Sequence, residues 1–392
     1  MPGRKEIFMK HKQIAKRFWQ SGATPMQTAA DASERYDDLI NLSIGDTDFI
    51  TDERIIHAAM EDALAGHTKY TNPQGDPELI EAIQNFYRAE YEMNLAKNQI
   101  FVTTSSCMGM ELVLMTILDP EDEVILFSPY FTPYKQQVEL ALGCAVEVET
   151  SEEDGFEIRE DRLRAAITPK TKALILNNPC NPTGAAYDME CYQMIASIAN
   201  EFDLIVICDE IYTDYMYEMP FVPFRSLPGM AERTVTLNSF SKNYMMTGWR
   251  IGYIVAEPHL TATMKSINEN MVYAAPSVSQ RAALHALGLH KELKKIYTEE
   301  YKNRVYYAAK RINQLPYASV LAPRGTFYLF MNIKKTGLTS AEFCARAMEE
   351  AHVAMIPGNA FGKAGEGYVR IACTTGTATL EKAFDRLAKL AF

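Results

Sequence analysis

The chain has 392 residues, 47% of them hydrophobic and 23% charged, with a formal net charge of −11. That length can bury a large core and points to two domains, or one large domain with an appendage, of ordinary soluble globular composition. The acidic balance, with no basic stripe interleaved by aromatics, opposes nucleic-acid binding and points to a small-molecule partner.

The opening MPGRKEIFMKHKQ is charged and has no apolar signal core, and the longest apolar runs are strand-sized rather than membrane-sized. A cytoplasmic location without membrane contact is therefore expected. Residues 5 to 20 set Ile7, Phe8, Ile14, Phe18 and Trp19 among lysines, the pattern of a short amphipathic arm or helix. Asn41 to Phe49, NLSIGDTDF, predicts a short strand and a turn, in which Gly45 is either a plain turn residue or a point where a ligand approaches the backbone. Helices are predicted over Thr51 to Ala65 and Glu78 to Tyr91, separated by a loop that opens at Tyr70 and is marked by Pro73, Gly75 and Pro77.

Ile100 to Thr104 predicts a strand, and SSCMGMELVLMTIL a small-residue turn running into a helix. Backbone amides and hydroxyls of Ser105, Ser106 and Cys107 at that helix start suit an anion such as phosphate, although a serine there also serves as an ordinary cap. Glu123 to Phe127 is a strand ending in SPYFTPY, whose Tyr130, Phe131 and Tyr134 can stack on a flat ring or fill the core. A helix over Pro133 to Leu142 and a strand over Ala145 to Val148 follow. The strand Lys172 to Leu176 leads into NNPCNPTG, where two Asn-Pro pairs fix an extended turn and the Asn181 amide can bond a ligand oxygen. After a helix over Tyr187 to Phe202, Leu204 to Cys208 is a continuous apolar strand ending in Asp209 and Glu210, with Tyr212 beyond. A carboxylate there is costly without a cationic partner.

The apolar run Thr234 to Leu237 is followed by SFSKNYMMTGWRIGY, Ser239 to Tyr253. Lys242 in this apolar context is expected to be partly desolvated, with a lowered pKa and an amine fit to form a Schiff base. Ser239 and Ser241 can donate hydrogen bonds, and Arg250 offers a planar fork suited to phosphate. Together they suggest an aldehyde cofactor carrying a phosphate; the plainer alternative is a solvated Lys and Arg around a turn at Gly248. From Thr298 the pattern becomes a long helix to about Leu315, strands near Val320 and over Phe327 to Ile333, and helices over Ser340 to Ala351 and Thr379 to Leu390.

Strands alternating with helices, with polar residues at the strands' carboxyl ends, predict an α/β fold. Its large domain would hold a mostly parallel sheet sandwiched by helices, and the N-terminal arm and C-terminal third would form a smaller α+β domain. The boundaries expected are 1–48 for the arm and part of the small domain, 49–289 for the large cofactor-binding domain, and 290–392 for the C-terminal small domain. No GxGxxG follows a strand, and GxSxG and HExxH are absent. Seven cysteines without CxxC spacing or paired histidines indicate neither a disulfide framework nor a metal site; Cys144, Cys191, Cys208 and Cys344 read as small buried hydrophobes.

NNPCNPTG, then Asp209 and Tyr212, then SFSKNYMMTGWRIGY resemble, in order and spacing, the class I/II aminotransferases of pyridoxal-phosphate fold type I. The resemblance runs from NLSIGDTDF to YVRIA. It implies that Lys242 holds the cofactor aldehyde as an aldimine and then shuttles a proton at the substrate α-carbon. It also implies that Asp209 pairs with the pyridine nitrogen, that Asn181 and Tyr212 bond the phenolic oxygen, and that Phe131 stacks on the ring. Ser239, Arg250 and the segment Ser105, Ser106 and Cys107 would hold the phosphate. Arg370 in GYVRIA matches the arginine for the substrate α-carboxylate, with Gly45 and Asn181 beside it. Tyr70 matches a tyrosine that reaches the phosphate of the neighbouring subunit, so a homodimer is implied. Two positions depart from the pattern: Ser105 stands where glycine is common, and Cys107 where some aspartate-specific relatives carry lysine.

The function this implies is transfer of the amino group of an L-amino acid to a 2-oxo acid, 2-oxoglutarate or pyruvate, in ping-pong half-reactions. A carbon–sulfur β-lyase of the same fold is the alternative. A cofactor-sensing regulator is disfavoured because only about forty residues precede NLSIGDTDF and Lys242 is retained. Ile44, Tyr130, Phe327 and Tyr328 are expected to shape the pocket; Arg281, Arg324 or Arg346 could meet a distal carboxylate or be surface residues.

Overall fold

A computed structural model describes residues 13–15, 18 and 36–392; most of the arm expected over residues 5 to 20, including Ile7, Phe8 and Trp19, lies outside the described residues. The described chain begins with β1 (Ile40–Asn41), α1 (Glu53–Leu64) and α2 (Pro77–Tyr91). Both helices start at a carboxylate cap. Asp52 accepts the Arg54 amide and Asp76 the Glu78 amide, with Pro77 opening α2.

The next elements are β2 (Ile100–Thr103), α3 (Ser106–Ile117), β3 (Glu123–Ser128), α4 (Pro133–Leu140), β4 (Cys144–Glu149), α5 (Glu160–Ala166) and β5 (Thr171–Asn177). They continue with α6 (Met189–Glu201), β6 (Ile205–Asp209), β7 (Thr234–Ser239), the single turn α7 (Phe240–Asn243) and β8 (Gly252–Val255). Strands β2 to β8 form one sheet in the order β2-β8-β7-β6-β5-β3-β4. The neighbours from β7 through β6, β5 and β3 to β4 pair in parallel, while β8 runs antiparallel to both β2 and β7. The mostly parallel α/β sheet expected from the alternating pattern is therefore observed.

Side-chain alternation divides β5 and β6 between two cores. Ala173, Ile175 and Ile207 pack with residues of α3, whereas Leu174, Leu176, Val206 and Cys208 pack with α6. Both faces are apolar, so the polar residues accumulate where the strands end.

After α8 (Pro258–Glu269) and α9 (Ser277–Gly288) come α10 (His290–Ile312), β9 (Tyr328–Asn332), α11 (Ser340–Ala351), β10 (Val353–Ala354), β11 (Ile356–Pro357), β12 (Tyr368–Ala372) and α12 (Thr377–Leu387). Strands β11-β12-β9 make an antiparallel sheet, and β1 pairs in parallel with β10, so the segment around residue 40 joins the C-terminal third. Among the described residues no helix is long and apolar enough to cross a membrane.

Several elements differ from expectation. α10 begins at His290 rather than Thr298, because Leu293, Tyr297, Tyr301 and Val305 continue one buried stripe through a charged surface. α4 stops at Leu140, and Leu142 beyond it has φ +67°. No strand forms at Val320; Ser319 makes an isolated bridge to Asn332. Cys208 and Cys344 are buried as expected, but Cys144 is exposed because it opens the edge strand β4, and Cys191 is half-buried.

The approach of β8 to the turn before α3 is close. A Cβ on Gly252 would stand 2.8 Å from the Ser106 amide nitrogen and 2.8 Å from the Asn238 carbonyl oxygen. Neither backbone atom can move without shifting an element. Gly252→Ala is therefore expected to lower the thermal unfolding midpoint by several degrees, measured by calorimetry; an unchanged midpoint would show that the turn before α3 adapts freely.

Candidate active site

The carboxyl ends of β6 and β7 and the start of α3 enclose a cleft of about 260 Å³. Lys242 reaches it from α7, which begins where the Ser239 hydroxyl accepts the Ser241 amide at 3.0 Å. Its Nζ donates to the Gly45 carbonyl at 2.5 Å and lies 5.9 Å from the centre of the Phe327 ring, while its own carbonyl accepts from the Tyr215 hydroxyl at 2.8 Å. Gly45 is small for a steric reason: a Cβ there would fall 1.7 Å from the Tyr328 hydroxyl oxygen.

Asp209, the last residue of β6, shares the face of Ile207 by strand alternation and so points toward α3. It is buried, and burial pushes its carboxyl up to about 6 against the opposing pull of hydrogen bonds from the Tyr134 hydroxyl and the Ile211 amide. Its Oδ1 has no hydrogen-bond partner. Glu210 takes the opposite face, accepts the Phe224 amide at 3.2 Å, and is pushed by burial up to about 8. Two adjacent carboxyls thus hold different chemistry because the strand turns them to different surroundings.

At the α3 end, Ser105 has φ +119°, a conformation costly for a residue with a Cβ, and its hydroxyl accepts the Met108 amide at 3.3 Å. This is the position where the related pattern often has glycine. The amides of Ser106 and Cys107 in the first turn have no intrahelical acceptor and carry the positive end of the helix dipole. Arg250, held at φ +53° with its Nη1 donating to the Thr247 carbonyl at 2.7 Å, and Ser239 line the same cleft. Cys107 is reached from the cleft, yet its surroundings and the Asp209 charge push the thiol up and keep it protonated.

Arg370, in β12, is buried, with Nη1 donating to Asn181 Oδ1 at 3.0 Å and Nη2 to the Ser43 carbonyl at 2.7 Å. Its guanidinium lies 4.4 Å from the centre of the Tyr328 ring, and its Nε has no partner. Tyr212 meets Tyr328 hydroxyl to hydroxyl at 3.3 Å, and burial holds its phenol well above the usual range, so it remains a neutral donor. The cleft thus combines an amine, an orphaned buried carboxylate oxygen, an anion cradle and a buried guanidinium with a free donor.

Lys242, Asp209, Tyr212, Ser105, Ser106, Cys107, Phe131, Ser239, Arg250, Gly45 and Arg370 all line this cleft. Asn181 does not line it but joins it through Arg370, and Tyr70 stands apart, 89% exposed, its ring edge-on to Tyr273 at 5.1 Å. Of the expected pocket residues, Ile44 and Tyr328 line the cleft, whereas the Tyr130 hydroxyl donates to Glu147 at 3.1 Å. Arg281 pairs with Asp62 and Glu78, Arg324 with Glu157 and Arg346 with Glu350, and none of the three lines the cleft. Tyr134 is buried in the core beside α3, one of the two roles its sequence context allowed; its hydroxyl bond to Asp209 was hinted at only by the aromatic-rich end of β3.

A phosphorylated pyridine aldehyde fits these residues. The unpartnered Asp209 Oδ1 suits a ring N–H, the α3 cradle suits a phosphate, and the amine of Lys242 suits an aldehyde. The family model for aminotransferase class I and II matches residues 37–387. An aspartate aminotransferase of Pyrococcus abyssi is 40% identical over 357 residues, covering 90% of this chain and 92% of that protein. Aromatic-amino-acid aminotransferase 2 of Thermococcus litoralis is 38% identical over 364 residues, covering 92% and 93%. The solved structure of Thermus thermophilus aspartate aminotransferase with maleate has a TM-score of 0.91 at 33% identity, over 96% of this chain and 99% of that one. Because the matched span takes in both Asn177–Gly184 and Ser239–Tyr253 and the fold agrees with it throughout, the chain belongs to the class I and II aminotransferases and is a pyridoxal-phosphate-dependent transaminase.

Proposed function

We propose that the protein moves the amino group of an L-amino acid to a 2-oxo acid such as 2-oxoglutarate or pyruvate, as a homodimer in which Tyr70 reaches the partner's site. The observation that carries this reading is the meeting of Lys242, the unpartnered Asp209 Oδ1 and the unpartnered Arg370 Nε in one cleft. Pyridoxal phosphate, when bound, supplies an aldehyde that exchanges amines and a ring that withdraws electrons from the substrate α-carbon.

The chain's residues divide the remaining work. Arg370 binds the α-carboxylate, which every amino-acid donor carries, and its other nitrogens are fixed by Asn181 and Ser43 so that the fork is already aimed. Asp209 would favour a proton on the ring nitrogen, since a cationic partner relieves the cost of its buried charge. When the group is bound, Asn181 and Tyr212 would donate to its phenolic oxygen, and Ser239, Arg250 and the α3 amides would hold its phosphate. Phe131 covers the ring face. With the group bound, the Lys242 amine would act as the base, taking the proton from the substrate α-carbon onto Nζ and holding it there for return.

The relatives' names point to aspartate and aromatic donors as the first to test. Among this chain's described residues lining the cleft, the cations are Lys242, Arg250 and Arg370, so those residues give a second carboxylate no further cation, and Cys107 is neutral. We therefore favour apolar and aromatic donors over aspartate.

Three measurements test this reading. Borohydride reduction of the holoenzyme followed by peptide mass mapping is expected to place the cofactor mass on Lys242; an adduct on any other lysine overturns the assignment. For Asp209, a carboxyl whose folded value of about 6 exceeds its ordinary 3.8 favours the fold at low pH and opposes it as pH rises through 6. Asp209→Asn is thus expected to raise the unfolding midpoint of the cofactor-free protein at pH 8, with the gain vanishing near pH 4; no gain at pH 8 would contradict an uncompensated buried charge. Mixing cofactor-loaded protein with single amino acids and no oxo acid is expected to convert the cofactor to its amine form without free ammonia, fastest with aromatic donors. Ammonia released with pyruvate would instead indicate β-lyase chemistry.

A further inference from the structure

Two residues beyond Lys242, Tyr244 caps the carboxyl end of α7, and its buried hydroxyl meets Nδ1 of His290 at 2.9 Å. His290 is the first residue of α10 and is itself only 5% exposed. Around it lies a set of charges that the catalytic cleft does not include. Glu90 of α2 stands 3.5 Å from His290 Nε2, Asp214 stands 3.9 Å from His290 Nδ1, and Lys294 pairs with Glu90 at 2.5 Å and with Asp214 at 3.5 Å. Asp214 is buried, neither of its oxygens accepts a hydrogen bond, and His290 Nε2 is likewise unpartnered. Buried charges of this kind are costly unless paired, and here they are compensated by neighbouring charges rather than by hydrogen bonds.

The cluster joins the two loops that carry the site. Asp214 lies in the turn Thr213–Tyr215 that follows Tyr212, and from that turn Tyr215 donates to the Lys242 carbonyl at 2.8 Å while Thr213 Oγ1 accepts from the Asn243 amide group at 3.1 Å. Three consecutive residues, Lys242 through its carbonyl, Asn243 and Tyr244, are therefore each tied to a neighbouring element, in addition to the Lys242 Nζ bond to Gly45. Two of these ties come from the Tyr212 turn, and the third comes from α10. The Thr298 hydroxyl, also in α10, donates to the Asp214 carbonyl at 2.7 Å. The bond from Tyr244 runs directly from the lysine segment to the long helix through an imidazole held among charges, beside a weaker one from the Tyr301 hydroxyl of α10 to Met245 Sδ at 3.9 Å.

We infer that His290 is a positioning residue for Lys242, acting through the Tyr244 hydroxyl to fix the turn from which the amine reaches the α-carbon. This rests on the role given above to Lys242. Loss of the bond would let α7 shift, which misplaces Nζ and slows proton transfer while Arg370 still binds the donor, so the effect falls on kcat rather than KM.

The test uses the holoenzyme of Tyr244→Phe, His290→Leu and His290→Asn, the last able to present an amide near the place of Nδ1. Attachment of the cofactor to Lys242 is first verified by mass in each preparation, so a failure of that assignment is seen separately. For Tyr244→Phe and His290→Leu, kcat is expected to fall about tenfold with the donor KM within about twofold, and the pH midpoint of the bound cofactor's visible absorption to move. His290→Asn is expected to recover most of kcat and the original midpoint. Wild-type kcat and absorption midpoint in Tyr244→Phe would overturn the inference, even if its unfolding temperature were lower.

Discussion

Asp209 sets the terms for the site. A carboxyl at the end of a strand that is apolar on both faces cannot shed its charge into water, and the chain gives it two donors, the Tyr134 hydroxyl and the Ile211 amide, while leaving Oδ1 empty-handed. This arrangement is unstable by itself and becomes favourable when a cation arrives. In the proposed reading the surrounding elements would serve that event: the α3 amides at one end of the cleft would take a phosphate, and the Arg370 guanidinium at another would take a carboxylate. The fold therefore stores an electrostatic deficit at the point where a protonated ring nitrogen would cancel it.

Much of this was legible in the sequence because parallel strands buried on both faces leave no doubt about where their polar ends fall. Leu204 to Cys208 had to be interior, so Asp209 had to be a cost with a purpose; SFSKNYMMTGWRIGY put an amine, two hydroxyls and an arginine into one turn. What was not legible depended on contacts across long separations. Tyr134 and Asp209 are 75 positions apart, and nothing in SPYFTPY says which aromatic turns toward a strand two neighbours away in the sheet. The roles of Asn181 and Tyr70 rest on resemblance more than on local pattern.

The helices α8 and α9 escaped for a different reason. In α9 the buried face includes Gln280 and Arg281 as well as alanines, so the apolar stripe is hidden. Those two residues are interior only because of their partners: Gln280 Oε1 accepts the Asp76 amide at 2.6 Å, and Arg281 is paired with Asp62 at 2.7 Å. By periodicity alone these polar side chains fall on the surface; tertiary pairing reverses the outcome. The same logic moved Arg281 from a candidate for the substrate to a tie between α9 and the N-terminal helices.

The segment Ser43–Gly45 has a bearing on how the protein is made. Its carbonyls accept from Arg370, which is 327 positions away, and from Lys242, which is 197 positions away. Both contacts close very long loops, and their entropic cost falls due before either bond repays it. The cleft is complete only once β12 is paired in its sheet, so a chain cut before residue 370 would lack both a wall of the site and the guanidinium that binds the Ser43 carbonyl.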